Sequence, residues 1–354
     1  MKSYKVIGLM SGTSLDGLDI AYCVFTENKG KWKFNIEVAE TISYNEGWKK
    51  VLTIEFNKSP LRLFTVHRLY GNYLGSQVTE FIKKHKLSPD FIASHGHTLF
   101  HQPKSKLTFQ LGNGAEIAAN CGLTVVCDFR STDIALGGQG APLVPVGDKY
   151  LFNNYNYRLN LGGIANISFE KKSKMLAFDI CPCNIPLNTL AAKFKKTYDD
   201  KGKIAASGKL DNTLLSKLNK LDYFSLKAPK SLGKEWVNKS FMRIVDKSDI
   251  PYKDKIRTIC EHIAMQISAA APYKKGETLL VTGGGAYNTF LMERIKALCP
   301  AKIIIPDNKT VEFKEALIFA FLGVLRMRGE INCLSSVTGA RKDSVGGAVY
   351  LGWK

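Results

Sequence analysis

The sequence predicts an α/β protein made of two duplicated domains. Apolar strand-like segments alternate with segments of helical periodicity along the chain. Glycine-rich turns follow strand-like segments at Gly12, Gly162 and Gly283, and the first two turns lie about 150 residues apart. This repetition predicts two α/β domains that hold one phosphate chain from both sides.

Length and composition agree with two soluble domains. The chain has 354 residues, of which 45% are hydrophobic and 23% are charged. One core rarely supports such a length, so we predict a first domain over residues 1–150 and a second over residues 151–354. Apolar runs are too short for a signal peptide or a membrane span, so we expect a cytoplasmic protein without a membrane partner.

The net charge of +19 is spread along the chain in single and paired lysines. This pattern is typical of a solvated surface, because nucleic-acid binding requires clustered cations, commonly interleaved with aromatic residues. We therefore expect no nucleic-acid partner, although the positive field favours small anionic ligands. The eight cysteines lack the spacing of a disulfide framework or a zinc site.

The opening residues 5–25 have the pattern of strand, polar turn and strand. Gly12 allows the backbone to approach a ligand, and Thr13 and Ser14 add hydroxyl groups beside it. The turn suits a phosphate, and an ordinary hairpin is the open alternative. Residues 33–44 predict a further antiparallel strand, and residues 64–84 predict an amphipathic helix.

Histidines follow the short buried strand that we predict over residues 91–94. No carboxylate ligand is close to His95 and His97 in the sequence. We therefore interpret them as hydrogen-bonding residues at the mouth of a cleft rather than as metal ligands. For His101 a structural role is equally open.

Arg130 follows a predicted buried parallel strand over residues 123–127, after a turn and helix over residues 109–120. Ligands of open α/β sheets bind beyond such strand ends, and a guanidinium there can hold a carboxylate or phosphate. The alternative is an internal salt bridge with Asp128 or Asp133.

The second half repeats the opening pattern over residues 157–169, where Asn160 and Asn166 supply amides around a Gly-Gly turn. Asp179 then ends a short apolar strand before a proline-containing turn. We consider it either a general base or the cap of a helix over residues 187–196.

Three later segments complete the predicted second half. Residues 256–271 predict an amphipathic helix, and residues 277–285 predict a buried strand that runs into a glycine turn. Residues 312–325 predict an apolar helix with Glu315 near its start. That carboxylate is either favoured by the helix dipole or a substrate ligand.

Eight segments together resemble the 1,6-anhydro-N-acetylmuramic acid kinases of the actin, hexokinase and Hsp70 superfamily. They are GLMSGTSLDGLDIA, SHGHTLFHQP, DFR, GGQGAPLVP, LNLGGIANIS, PKSLGKEW, VTGGGAYN and EALIFAFLG. The resemblance runs from about residue 6 to residue 350. It implies two ribonuclease H-like domains of the actin/hexokinase type that flank an ATP cleft, and leaves open that the last helix returns to the first domain.

The resemblance also implies a cytoplasmic homodimeric kinase of peptidoglycan recycling that uses ATP and Mg²⁺. Such a kinase opens the anhydro ring of anhydro-N-acetylmuramic acid with water and phosphorylates O6, giving N-acetylmuramate 6-phosphate and ADP. Asp179 matches the catalytic base, and the sugar would contact His97, Arg130, Asn184 and Glu315. The residues implied in ATP binding are Gly12, Thr13, Ser14, Leu15, Asp16, Gly17, Leu18, Asp19, Gly162, Gly163, Asn166, Gly283, Gly284 and Gly285.

The chain departs from the family pattern at three places. Cys181 and Cys183 replace the two glycines that commonly follow the base, which could narrow the approach to the substrate. Met10 stands where the wider superfamily has an aspartate, so the metal ligand is unassigned, with Asp16 and Asp19 as candidates. His97 stands where the family often has Gln, a change that adds a titratable group.

Two other readings stay open. The same fold could phosphorylate another sugar or a small carboxylic acid without hydrolysis, because fold does not determine substrate. The chain could also be a nucleotide-binding actin-like protein without turnover, a reading that the Cys-Pro-Cys change at residues 181–183 leaves open.

Overall fold

Strands and helices alternate in a computed structural model that describes residues 2–12, 15–53, 59–228 and 230–353. The chain divides into two compact units, Met1–Phe152 with Phe313–Lys354 as unit 1, and Asn153–Glu312 as unit 2. The strands of the described residues are β1 (Lys2–Ser11), β2 (Gly17–Asn28), β3 (Lys31–Ser43), β4 (Phe91–Gln102), β5 (Leu107–Leu111), β6 (Val125–Cys127), β7 (Tyr157–Leu161), β8 (Ile164–Lys171), β9 (Lys174–Pro182), β10 (Thr278–Thr282), β11 (Lys302–Ile304) and β12 (Ala348–Tyr350).

The helices vary from single turns to more than seven turns. They are α1 (Glu46–Leu52), α2 (Pro60–His85), α3 (Gly114–Cys121), α4 (Ser131–Ala135), α5 (Val144–Leu151), α6 (Asn184–Ala191), α7 (Lys203–Ser207), α8 (Asn212–Asn219), α9 (Lys234–Trp236), α10 (Arg243–Asp246), α11 (Tyr252–Ala269), α12 (Thr289–Leu298), α13 (Asn308–Met327) and α14 (Ser335–Thr338). A π-helical turn, Val237–Met242, joins α9 to α10. No helix in the described ranges combines the length and apolarity needed to cross a membrane.

The sheet of unit 1 has the order β12-β6-β4-β1-β2-β3, and β5 pairs with β4. Strands β1, β2 and β3 form an antiparallel meander, whereas β4 lies parallel to β1 and β6 lies parallel to β4. Residues 6–9 of β1, residues 91–97 of β4 and all of β6 are buried, which is expected for parallel strands in the centre of a sheet.

The sheet of unit 2 has the order β11-β10-β7-β8-β9. Strands β7, β8 and β9 are again an antiparallel meander, while β10 lies parallel to β7 and β11 lies parallel to β10. Three meander strands followed by two parallel strands therefore occur in both units. The predicted α/β class with duplicated ribonuclease H-like domains is confirmed.

Sequence signals explain where the long helices begin and which face they bury. Helix α2 starts after Ser59, whose Oγ accepts a hydrogen bond from the Arg62 N–H at 3.3 Å, and Pro60 occupies its first turn. Helix α11 buries the predicted isoleucine stripe, of which Ile256 and Ile263 are fully inaccessible to solvent. These faces supply the two hydrophobic cores.

Several predicted strand boundaries are wrong. The strand expected over residues 91–94 continues to Gln102, so His95, His97 and His101 lie on β4 rather than after it. Residues 109–111 were expected in a turn, but they belong to β5, which pairs with the extended β4 as an antiparallel hairpin. Asp179 was expected at the end of its strand, but β9 continues to Pro182. In each of these cases pairing with a neighbouring strand extends the strand beyond its apolar run, and such tertiary contacts override local sequence preference.

Candidate active site

Three polar residues lie side by side on the sheet of unit 2. Asn160 on β7 pairs with Asn166 on β8, and Asn166 pairs with Asp179 on β9. Directly opposed residues of antiparallel strands project from the same face, so these three side chains form one row across the meander. Thr282 extends the row, because it pairs with Asn160 from β10. We call Thr282, Asn160, Asn166 and Asp179 the polar row.

Asp179 is held by one segment that follows it by more than 40 residues. The Leu232 N–H donates to Asp179 Oδ2 at 2.8 Å, the Asp179 N–H donates to the Lys230 carbonyl at 3.1 Å, and the Tyr223 hydroxyl donates to the Asp179 carbonyl at 2.6 Å. Burial raises the pKa of the Asp179 carboxyl, and the hydrogen bond from Leu232 acts in the opposite direction. A carboxylate of raised pKa is a better proton acceptor.

The alternative role of Asp179 as a helix cap is wrong. Helix α6 begins at Asn184, not at residue 187, and Cys183 occupies its N-cap position. The Asp179 carboxylate instead accepts from Leu232, a residue outside that helix. Asp179 therefore does not cap α6, and the role of general base is the one that stays open for it.

Two glycine turns lie against each other at one end of the same sheet. Gly162 and Gly163 follow β7, and the turn Gly284–Tyr287 follows the neighbouring parallel strand β10. Gly283 has φ of 81°, and a Cβ there would lie 2.5 Å from Asn160 Oδ1, so no other residue fits. A Cβ at Gly284 would approach other atoms no closer than 3.9 Å, which leaves open backbone for a flat ligand group.

Asn184 joins these turns rather than standing apart from them. Its Nδ2 donates to the Leu161 carbonyl at 2.9 Å, and its N–H donates to the Gly162 carbonyl at 3.1 Å. Gly285 packs closely on Leu161, since a Cβ there would lie 2.6 Å from the Leu161 Cβ. The structure thus brings together the predicted residues Gly162, Gly163, Asn166, Asp179, Asn184, Gly283, Gly284 and Gly285 within unit 2.

Cys181 and Cys183 belong to the hydrophobic core of unit 2. Cys181 and Cys183 are both inaccessible to solvent. Burial raises the pKa of the Cys183 thiol to about 12, and that of Cys181 well above its usual value. Both are therefore protonated, packing thiols and poor nucleophiles.

The opening turn of unit 1 lies partly outside the described residues, which exclude Thr13 and Ser14. Gly12 and Leu15 frame it, and the Leu15 N–H donates to the Gly12 carbonyl at 3.4 Å. Asp16 is exposed, whereas Leu18 belongs to the core. A Cβ at Gly17 would lie 2.6 Å from the Ile42 carbonyl oxygen, so the close approach of β3 requires this glycine.

Arg130 is the cation at the centre of the predicted unit 1 residues. Its Nε and Nη2 donate to His95 Nε2 at 3.2 and 2.9 Å, and its Nη1 donates to the Gly140 carbonyl at 2.6 Å. Asp128 and Asp133 accept hydrogen bonds from other groups, so the alternative of a salt bridge with Arg130 does not describe its contacts. Burial lowers the pKa of Arg130 to about 10, which keeps it charged at neutral pH.

Glu315 and Asp19 lie within electrostatic range of this cation's site. Dense protein surroundings raise the pKa of Glu315, the charge of Asp19 raises it further, and Arg130 opposes both, although the side chain keeps access to solvent. Asp19 Oδ1 accepts a hydrogen bond from Thr41 at 2.6 Å. Unit 1 thus gathers Arg130, Glu315 and Asp19.

His97 belongs to a buried chain of hydroxyl groups. Its Nδ1 lies 3.0 Å from Ser11 Oγ, which accepts from the Tyr44 hydroxyl at 2.8 Å, and Tyr44 in turn contacts the Tyr70 hydroxyl at 2.6 Å. Burial lowers the pKa of His97, so the ring is neutral at physiological pH. The pairing register between β1 and β4 shifts between Leu9 and Ser11. His95 contacts Arg130, whereas His97 contacts Ser11.

Sequence reasoning named Asp133 only as a possible ion-pair partner of Arg130 and missed that it holds the loop at Gly140. The buried Asp133 carboxylate accepts from the Gly140 N–H at 2.7 Å and from the Thr338 hydroxyl at 2.7 Å. Gly140 is the residue whose carbonyl accepts from Arg130. The sequence shows the glycine-dense loop over residues 137–140 and Thr338 in the segment SVTGA, residues 336–340. It does not show that Asp133 contacts both, which only the fold reveals.

Tyr223, Lys230 and Leu232 were also missed as contacts of Asp179. Two of them lie in the PKSLGKEW segment, which contributed to the family resemblance without indicating a role. No cluster of three or more His, Cys, Asp or Glu residues suited to a metal occurs in the ranges that the structure describes. The metal candidates Asp16 and Asp19 therefore stay separate single carboxylates.

Comparisons with known proteins cover both units. A sequence model of the family described as anhydro-N-acetylmuramic acid kinase matches residues 4–352. The anhydro-N-acetylmuramic acid kinase of Sulfurovum sp. is 35% identical, over 99% of this chain and 100% of that relative. The enzyme of the same name from Vibrio cholerae is 34% identical, over 97% of each chain. Among solved structures, (R)-2-hydroxyglutaryl-CoA dehydratase component A from Acidaminococcus fermentans has a TM-score of 0.45 at 12% identity, covering 90% of this chain and 96% of that one.

Proposed function

Because the chain belongs to the anhydro-N-acetylmuramic acid kinase family and is a kinase, we propose that it opens its sugar substrate hydrolytically before phosphorylating it. Water and ATP would convert anhydro-N-acetylmuramic acid to N-acetylmuramate 6-phosphate and ADP, a step of peptidoglycan recycling. The observation that carries the proposal is Asp179, a half-buried carboxylate of raised pKa in the polar row.

Asp179 would serve as the general base. It would accept a proton from the water that attacks the anomeric carbon, and the bond between that carbon and O6 would break as the ring opens. The released O6 then attacks the γ-phosphorus of ATP, and ADP leaves. One carboxylate can serve both bonds, because phosphoryl transfer requires positioning and charge neutralisation more than covalent assistance.

Arg130 and Glu315 would bind the sugar. The lactyl group of the substrate carries a carboxylate, and Arg130 stays charged at neutral pH. Glu315 would accept hydrogen bonds from the amide or hydroxyl groups of the sugar. Neutral His97 and the amide of Asn184 remain proposed sugar contacts that hydrogen-bond without charge.

The glycine turns would bind ATP. The open Cβ position of Gly284 suits a flat base, the backbone of Gly162 and Gly163 is proposed to contact phosphates, and the opening turn of residues 12–19 would add a second phosphate contact. Mg²⁺, when bound, would neutralise phosphate charge. It needs only one or two protein carboxylates besides phosphates and water, so the single carboxylates Asp16 and Asp19 fit as candidates.

The family membership also supports a cytoplasmic homodimer. ATP is supplied in the cytoplasm, so a kinase of a recycled cell-wall sugar would act there. Light scattering of the purified chain at several concentrations would test the dimer, and a single monomeric mass would contradict it.

The experiment is turnover in ¹⁸O-labelled water with anhydro-N-acetylmuramic acid, ATP and Mg²⁺. We expect ADP release and a sugar phosphate that carries one ¹⁸O atom at the anomeric position, analysed by mass spectrometry before that oxygen can exchange. Asp179→Asn should lower kcat by about 10³-fold or more, because general acid–base catalysis contributes ~10²–10⁴-fold. Asp246→Asn is the matched control, since Asp246 is exposed on α10.

The outcomes separate the parts of the proposal. Phosphorylation without ¹⁸O incorporation would mean that the anhydro ring is not opened by water. Full activity of Asp179→Asn would mean that another group is the base.

A further inference from the structure

Asp179 stands at a weak point of its sheet. Strand β9 is an edge strand, and the register with β8 shifts so that Asn166 faces Asp179 while Ala165 faces Cys181. Ile180 is the extra residue of this bulge. Edge strands and bulges leave main-chain groups without ladder partners, so the sheet alone does not satisfy the backbone of Asp179.

Three residues, Tyr223, Lys230 and Leu232, supply the missing contacts. The Asp179 N–H donates to the Lys230 carbonyl, and the Tyr223 hydroxyl donates to the Asp179 carbonyl. The Leu232 N–H donates to Asp179 Oδ2. Among the described residues, no group donates a hydrogen bond to Oδ1. One carboxylate oxygen is thus fixed and the other is available.

The side chain of Lys230 contacts Tyr223 in two ways. Its Nζ donates to the Tyr223 carbonyl at 3.1 Å and lies 4.5 Å from the centre of the Tyr223 ring. Burial raises the pKa of Tyr223, so its hydroxyl stays protonated and can donate. The side chain of Lys230 therefore contacts the tyrosine by a hydrogen bond and by a cation–π interaction.

We propose that Tyr223 and Lys230 are positioning residues for the general base, which hold Asp179 with Oδ2 bonded to Leu232 and Oδ1 available to take the proton. This inference rests on the proposed function, because it assigns a role relative to Asp179. Neither residue is a catalytic residue in this scheme, since both act through the orientation of the carboxylate.

The test uses Tyr223→Phe, which removes only the hydroxyl, and Lys230→Met, which removes the charge and keeps the stem. Lys230→Arg is the conservative variant, because a guanidinium can keep both contacts. Tyr198→Phe and Lys239→Met are the matched controls, since both wild-type side chains are exposed in unit 2. All variants are full-length and are checked for cooperative unfolding.

We expect Tyr223→Phe and Lys230→Met to lower kcat by about 10- to 100-fold, on the scale that small misplacements of reacting groups cause. KM for ATP and for the sugar should stay within about twofold, and Lys230→Arg should recover most of the loss. A merely structural role would lower the active fraction without changing the pH profile. Loss of the Leu232 bond should instead move the acidic limb of kcat/KM to higher pH, because that bond lowers the Asp179 pKa.

A second readout does not depend on turnover. In protein labelled with ¹³C at aspartate carboxyls, the resonance that Asp179→Asn removes reports the Asp179 titration. The titratable groups around it are Tyr223, Lys230 and, on its own strand, Cys181. We expect the Asp179 pKa to rise in Tyr223→Phe and Lys230→Met but not in the controls.

The two readouts separate failure of this inference from failure of the proposed function. An unchanged Asp179 titration together with wild-type kcat in both variants would overturn the positioning role, even where Asp179→Asn is inactive. A shifted titration in a protein without kinase turnover would support the positioning contacts and reject the proposed reaction. If Tyr223→Phe does not fold, Lys230→Met carries the test alone, because it leaves the buried Tyr223 in place.

Discussion

Each meander has one row of directly paired residues that contains a carboxylate near the candidate site. In unit 2 this carboxylate is Asp179 on the third strand, β9, whereas in unit 1 it is Asp19 on the second strand, β2. The corresponding rows are Asn160, Asn166 and Asp179 in unit 2, and Met10, Asp19 and Thr41 in unit 1. The strand order is duplicated but the chemistry of the row is not. The scaffold supplies equivalent positions, and separate residues decide what each position can do.

The two units also hold their key charged group in different ways. Asp179 lies on a strand, and a distant segment orients it through three hydrogen bonds. Arg130 follows a strand, and the Gly140 carbonyl that accepts from it is held by the buried Asp133. In both cases, residues remote in sequence fix the group that sequence analysis selected, as preorganised sites require.

Arg130→Gln should have the largest effect of the substitutions that probe unit 1. The amide keeps part of the hydrogen bonding but removes the charge that the substrate carboxylate would meet. We expect kcat/KM for the sugar to fall about 100-fold or more, because removing one partner of a desolvated charge pair costs ~2–5 kcal/mol. Steady-state kinetics with each substrate varied in turn would measure it.

The comparison between units becomes sharper if KM for ATP is unchanged in Arg130→Gln. Arg243→Gln, an exposed arginine of α10 in unit 2, is the control and should behave as wild type. An Arg130→Gln protein that loses affinity for ATP rather than for the sugar would reverse our assignment of unit 1 to sugar binding.

Asp133→Asn should have an intermediate effect, on stability and on sugar binding together. The carboxylate accepts hydrogen bonds from Gly140, Thr338 and the Cys333 thiol, and an amide cannot accept all three. We expect the free energy of unfolding to fall by ~1–3 kcal/mol, the cost of leaving a buried polar group unpaired. Urea unfolding, followed by circular dichroism, would measure the change.

Asp128→Asn is its matched control. Asp128 is exposed and has φ of 54°, a conformation that asparagine tolerates, so stability should change little. Equal stability of Asp133→Asn and wild type would show that Asp133 does not hold the loop around Gly140.

Sequence analysis predicted the parts of the site that depend on local patterns. The glycine turns at Gly162 and Gly283 follow strands in the structure as expected, because a glycine turn after an apolar run is a local signal. The duplicated sheets followed from the repetition of that signal. The choice of Asp179 depended on the family motifs, since its position near a strand end had two readings.

The contacts that orient the site could not be predicted, because they join residues that are remote in sequence. Tyr223 bonds a residue 44 positions earlier, and Thr338 bonds one 205 positions earlier. The polar row could not be predicted without knowing the strand register. The apolar pattern determines which face of the sheet a residue lies on, but a shift of the register by two residues leaves that face unchanged. The mistaken strand end at Asp179 has the same origin, since pairing with β8 extends β9 to Pro182.

The smallest expected effect tests the contrast in burial between Asp179 and an exposed aspartate. The folded pKa of Asp179 is raised above its unfolded value, so its contribution to stability is favourable at low pH and is lost as pH rises from the unfolded towards the folded pKa. Above both pKa values, the charged carboxylate costs stability that Asn does not. Asp179→Asn should therefore melt slightly above wild type at pH 7, and the difference should shrink as the pH falls.

Thermal unfolding between about pH 4.5 and pH 8 would measure this difference, a window that starts just above the usual aspartate pKa. Asp246→Asn should show no such trend, because its carboxylate is exposed. A lower melting temperature of Asp179→Asn at pH 7, without convergence at lower pH, would mean that the Leu232 bond outweighs burial. In that case the charged Asp179 carboxylate would not destabilise the folded state. The raised pKa would then no longer support Asp179 as the general base of unit 2.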